Sequence, residues 1–259
     1  MYFQNISMLS PKVFLIACPL IFLAGFLDSI AGGGALISLP AYLIAGIPVH
    51  TAIATNKLSA AFGASTSAAY FIKKKMINFR LGIPSVGFAV LGSMLGANLS
   101  LMIDAGIMTK ILYIILPLTA FIVLNKRIFH DNPDQQLILN RKTFTLVMIT
   151  AFIIGIYDGF FGPGAGTFTI ICFTVIGKMN IQNANAQTKL INMTTTLSAL
   201  VVFLIKGQVL IPLGITAGIC NMAGSWIGAR LAITKGSHIM KPAILLMLAL
   251  LAVKIAGAY

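Results

Sequence analysis

Apolar stretches long enough to cross a lipid bilayer recur from Val13 to the C-terminus, and charge is concentrated in the joints between them. A hydrocarbon layer of about 30 Å takes a helix of about 20 apolar residues. A soluble domain carries about 25% charged residues, whereas this chain has 9% charged and 58% hydrophobic residues. The expectation is an all-α, polytopic helical membrane protein, a single transmembrane domain over residues 1–259 with the lipid bilayer as its solvent.

The net charge of +13 does not point to nucleic acid. The Lys and Arg side chains fall mainly in short joints, where the positive-inside effect accounts for them. Cys18, Cys172 and Cys220 lie far apart inside apolar stretches and read as small buried hydrophobes rather than a disulfide framework or metal site. The stretch from Val13 to Leu27 has the length of a signal peptide but no cleavage-like polar exit, so it reads as part of the mature fold.

Helical segments are predicted at 13–27, 35–46, 51–72, 81–100, 107–125, 144–161, 165–177, 184–205, 209–229 and 239–257. Segments 35–46 and 165–177 are too short to span the bilayer. Each follows a glycine-rich break, in "FLAGFLDSIAGGGALISLP" and "FIIGIYDGFFGPGAGTFTI". Laid over each other, these strings pair Gly25 with Gly155, Asp28 with Asp158, Gly32 with Gly162 and Gly34 with Gly164. Two residues of slippage later, Lys57-Leu58 pairs with Lys189-Leu190 and "GSMLGA" with "GSWIGA".

The same elements in the same order read as an internal duplication. Repeat 1 covers about 13–125 and repeat 2 about 144–257, on either side of the charged loop "NKRIFHDNPDQQLILNRK". Two broken helices in inverted repeats are a recurrent transporter plan, and inversion is the favoured sense. The Lys and Arg distribution fits inverted or parallel halves and puts the loop 126–142 in the cytoplasm either way.

A break inside a membrane frees backbone groups that only protein or a water-filled cavity can satisfy, so both breaks belong in the interior. The helix restarting after each break presents N–H groups and a partial positive charge, which suits an anion held between the halves. Close helix packing is the plainer reason for the glycines, as for Gly92 with Gly96 and Gly224 with Gly228. Lys57 and Lys189 are the sharper signal, because a lysine at membrane depth faces a cavity or a counter-charge rather than lipid, unless it snorkels to the head groups. Thr55 and Asn56 precede one, Gln187 and Thr188 the other. The candidate anion site is therefore Lys57, Lys189, Asn56, Thr55, Thr188 and Gln187, with backbone N–H groups around Gly33, Gly34 and Gly164. Asp28 and Asp158 sit at the breaks and have three readings: caps for freed N–H groups, counter-ions to the lysines, or proton carriers for coupling.

Signals for an enzyme are thin. His50, His130 and His238 are far apart, no metal-ligand spacing or cofactor motif occurs, and "GFFGPGAG" lacks the Lys-Ser/Thr ending of a phosphate-binding loop. With no nucleotide motor, transport has to be secondary, or a passive pore. An inside-negative potential by itself favours anion export, by about 2.3 kcal/mol per charge per 100 mV, so only concentrative import demands a coupling ion.

"GFLDSIAGGGALISLP" followed by "TAIATNKLSAAFGASTSA", with the second copies "GIYDGFFGPGAGTFTI" and "NANAQTKLINMTTTLSA", resembles the TauE/SafE family of sulfite and organosulfonate exporters. The likeness runs from about Phe14 to Ile255. It implies an inner-membrane permease of seven or eight spanning segments, moving sulfite, thiosulfate, sulfonates or related small anions. The family's Thr-Asn-Lys is met by Thr55, Asn56 and Lys57. Its counterpart in the second half is met by Thr188 and Lys189, with Gln187 as a departure.

Overall fold

The computed structural model describes residues 10–111, 114, 140–235 and 239. Over these the chain is helical and contains no strand. The first half folds as α1 (Pro11–Ala31), α2 (Ala35–Ile44), α3 (Val49–Lys73) and α4 (Phe79–Met102). The second folds as α5 (Arg141–Phe160), α6 (Ala165–Ile171), α7 (Ile181–Ile205) and α8 (Ile211–Lys235). Residues 105–111 are helical as well, in the predicted segment 107–125. The rest of that segment, nearly all of the loop 126–142 and nearly all of segment 239–257 lie outside the described residues.

Among the described residues four helices, α1, α4, α5 and α7, are long and apolar enough to cross a membrane. Their ends carry local signals. Pro11 opens α1, where its missing N–H costs nothing. Asn78, Asn140 and Asn180 each lend a side-chain oxygen to a backbone N–H at the start of α4, α5 and α7. The two short helices fall where the glycine-rich breaks predicted them. With 10 residues, α2 is about 15 Å long, half a bilayer. The segment predicted as one helix over 165–177 divides into α6 and a π-helical turn, Cys172–Ile176. That widened turn coincides with Thr174, whose hydroxyl donates to the carbonyls of Ile170 and Ile171 (2.7 and 3.1 Å).

Small residues set the packing. α1 lies along α8, α4 along α5, and α3 packs against both α7 and α8. A Cβ on Gly155 of α5 would stand 2.9 Å from the carbonyl oxygen of Ala89 on α4, so those backbones meet in the manner of membrane helix pairs. Large apolar side chains such as Leu15, Met102, Ile205 and Trp226 face outward, as lipid contact requires. Inward lie Ser29, Ser67, Ser93, Asn185, Thr195 and Ser225, all buried.

The two breaks meet inside this bundle. Gly32 closes α1 with φ 79°, and its carbonyl accepts the backbone N–H of Thr167 on α6 at 2.9 Å. The Thr167 hydroxyl donates to the carbonyl of Ala31 at 3.0 Å. A Cβ on Gly32 would come within 2.6 Å of the Gly166 carbonyl carbon, so glycine is needed there both for the left-handed turn and for the approach.

Candidate functional site

Lys57 and Lys189 are 3% and 0% exposed, which rules out snorkelling. Each reaches the break in the opposite half. Lys57 Nζ on α3 stands 2.9 Å from Asp158 Oδ1 near the end of α5 and donates to the Asp158 backbone carbonyl. Lys189 Nζ on α7 stands 3.8 Å from Asp28 Oδ2 near the end of α1 and donates to the Asp28 carbonyl. Each ammonium thus receives a carboxylate together with a carbonyl from the last turn of a broken helix, where the helix dipole favours a cation. Among the described residues two lysines thus face two aspartates in the interior.

The pairs are not equivalent. Asp28 also accepts the Gly34 backbone N–H through Oδ1 (3.0 Å) and the Asn192 amide through Oδ2 (3.3 Å), so it caps the start of α2 and balances Lys189 at once. Its side chain is 21% exposed. The Asp158 side chain is 6% exposed, and its Oδ2 has no hydrogen-bond partner among the described residues.

Between the pairs lies a cavity of about 40 Å³, room for roughly three waters. Asp28, Asn56, Lys57, Asp158, Asn192 and Asn221 line it, with backbone from Gly32, Gly34, Gly162 and Gly166. The structure therefore brings Asn56, Lys57, Asp28, Asp158 and Gly34 to one place, and Lys189 joins them through Asp28. Asn56 Oδ1, like Asp158 Oδ2, is buried without a partner among the described residues.

Other residues of the predicted set are engaged elsewhere. Thr55 Oγ1 accepts the Leu210 backbone N–H at 3.0 Å, and Thr188 donates within its own helix to Ala184 at 2.7 Å. Gln187 lines a separate, larger cavity. The Gly34 N–H is already taken by Asp28, the Gly33 carbonyl accepts from Leu36, and Gly164, with φ 82°, precedes the first turn of α6. Sequence reasoning passed over Asn192 and Asn221. Both left a trace: Asn192 is one turn beyond Lys189 and shares its helix face, and Asn221 is a polar side chain inside an apolar run.

The sequence family described as "Sulfite exporter TauE/SafE" matches residues 17–255. The chain is 32% identical over 254 residues to "Probable membrane transporter protein YfcA" of Escherichia coli (strain K12), covering 98% of this chain and 93% of that one. It is 33% identical over 235 residues to "Probable membrane transporter protein ORF9" of Sinorhizobium sp, covering 90% and 88%. A "Probable membrane transporter protein" of Haemophilus influenzae is 36% identical over 228 residues, covering 87% and 88%. No solved structure matches the chain. A family match over nearly the whole chain, with relatives more than 30% identical over most of their length, settles the membership: the chain belongs to the TauE/SafE family and is a membrane transporter, not an enzyme.

Proposed function

We propose that this chain is a proton-coupled secondary transporter of small anions, such as sulfite, thiosulfate, sulfoacetate or other organosulfonates, acting in the inner membrane with the loop 126–142 in the cytoplasm. In this reading the halves, about 13–125 and 144–257, are inverted repeats whose interface holds the anion. Supporting that relation, α1 lies along the last described helix of the second half while α5 lies along α4 of the first, and each half's lysine reaches the other half's aspartate.

The observation that carries the reading is the balanced charge around the central cavity. An anion bound at Lys57 competes with Asp158, and adding one negative charge to a neutral buried site is costly unless another is removed. A proton on Asp158 Oδ2 removes it: the ammonium passes to the anion, and Asp158 becomes a neutral donor. The oxygens of Asp158 and Asn56 that lack a partner among the described residues support this choice, whereas both oxygens of Asp28 are already engaged by N–H donors. Asp158 is thus the coupling group and Asp28 the cap. Asn56 supplies a hydrogen bond at the cavity, and Thr55, Thr188 and the backbone at Gly33, Gly34 and Gly164 join it where the moving halves release the bonds they now hold. A carrier of this kind runs in the direction its gradients set, and a monoanion moved with one proton crosses without net charge.

The test uses purified protein in liposomes with the membrane potential clamped. An inward proton gradient should accumulate methanesulfonate, a monoanion that does not itself titrate near neutrality. Asp158→Asn should lose that accumulation and Asp28→Asn should retain it. Accumulation persisting in Asp158→Asn removes this residue from coupling. Downhill flux without accumulation in the original chain favours the alternative, a passive anion channel or uniporter.

A further inference from the structure

We infer a second oxyanion site, separate from the central cavity, where the turn between α3 and α4 faces the start of α7. A cavity of about 580 Å³ opens there, within the size range of small-molecule sites. Lys75, Asn78, Phe79, Arg80, Asn183 and Gln187 line it, and none of its lining residues is acidic. The inference goes beyond the coupling mechanism proposed above and does not depend on it.

Gln187 separates this pocket from a merely basic surface. Its side chain is buried. The Asn78 backbone N–H donates to Oε1 at 3.2 Å, and since that N–H needs an acceptor, the bond fixes which end of the amide is oxygen. Nε2 is left buried without an acceptor among the described residues. A donor so placed is costly until an acceptor reaches it.

The surroundings decide the acceptor's charge. Lys75 and Arg80 are exposed at the rim and offer only donors, the guanidinium in a fork that matches an oxyanion. Lys75 is held in the left-handed region, φ 57°, by two turn bonds, from its own N–H to Ile72 and from the Met76 N–H to Phe71. That is the left-handed turn with which helices commonly end, and it sets where the Lys75 backbone leaves α3. Two cations and a buried amide with a spare donor thus line one pocket, and among the described residues no carboxylate lines it with them, unlike Lys57 and Lys189. The chemistry selected is a sulfonate, sulfite or phosphate oxygen. Its carrier is either a free small anion waiting at the mouth of the transporter or the phosphate of an anionic lipid.

Asn183→Cys places a reporter thiol in the pocket, and Phe79→Cys a second one should the first disturb folding. Labelling is compared for an anionic and a cationic methanethiosulfonate reagent, with the original chain as the background for Cys18, Cys172 and Cys220. The anionic reagent should react at least tenfold faster than the cationic one, and Gln187→Glu, which keeps the Asn78 bond but replaces the donor by a carboxylate, should cancel that preference. If millimolar thiosulfate slows labelling in phosphatidylcholine liposomes, the occupant is a free anion. If only added phosphatidylglycerol slows it, the occupant is a lipid phosphate. Equal rates for both reagents, with neither thiosulfate nor phosphatidylglycerol protecting either thiol, overturn the site. Because the readout is local labelling, it stands or falls separately from transport.

Discussion

Lys57 and Lys189 each pair with an aspartate at a helix break, yet their partners make them unequal, and stability should expose the difference. Lys57→Met leaves Asp158 buried without a cation, and removing one member of a buried pair costs about 3–5 kcal/mol. Lys189→Met leaves Asp28 with the Gly34 and Asn192 donors and some solvent exposure, so it should cost less. Thermal unfolding in detergent should therefore rank Lys57→Met below Lys189→Met. The double variant Lys57→Met/Asp158→Asn should recover part of the loss, since no bare charge remains. Equal melting of the two single variants would show that the pairs are energetically alike. Both lysines should also lose anion affinity as Met variants, which calorimetry on folded protein would measure.

At the scale of elements, the α4–α5 contact depends on the absence of side chains. Gly155→Ala puts a Cβ 2.9 Å from the Ala89 oxygen and 3.2 Å from the Ser93 nitrogen, neither of which can swing aside as a flexible side chain would. Overpacking of that kind costs about 1–3 kcal/mol. Gly87, on the same helix α4, has nothing within 4 Å of its would-be Cβ. There alanine should be neutral or stabilising by up to about 1 kcal/mol, the difference in helix propensity. Melting temperatures of the two variants, measured in one detergent, check both signs. The repeated glycines could be read from the sequence, but which of them meet a neighbouring backbone could not, because the spacing of Gly92 with Gly96 serves equally for contact and for exposure.

Across the whole molecule the halves are interlocked: α1 packs on α8, α5 on α4, and both ion pairs cross between them. Neither half should be stable alone. Expressed by itself, residues 1–125 should be digested by protease in membranes, because both its lysine and its aspartate lack their partners. Co-expressed with residues 140–259, it should become resistant and co-purify. Resistance of the first half alone would mean that each half folds as an independent unit.

The apolar runs, the two glycine-rich breaks and the paired lysines are local features, and the sequence by itself determined from them a helical membrane fold with two short helices and an interior that contains charge. Lipid imposes the same demand on every spanning residue, so hydropathy and length are sufficient for that. Partnership is a different matter. Lys57 and Asp158 are separated by 101 residues and Lys189 and Asp28 by 161, and nothing in the residue pattern distinguishes pairing within a half from pairing across. Only the tertiary structure decided it, because the bundle carries each lysine to the end of a broken helix in the other half, where a last-turn carbonyl and a carboxylate of the same aspartate stand together. The same packing gave Thr188 and Thr55 partners in Ala184 and Leu210 and brought Asn192 and Asn221 to the cavity, since the side of a helix that faces a hollow is set by its neighbours.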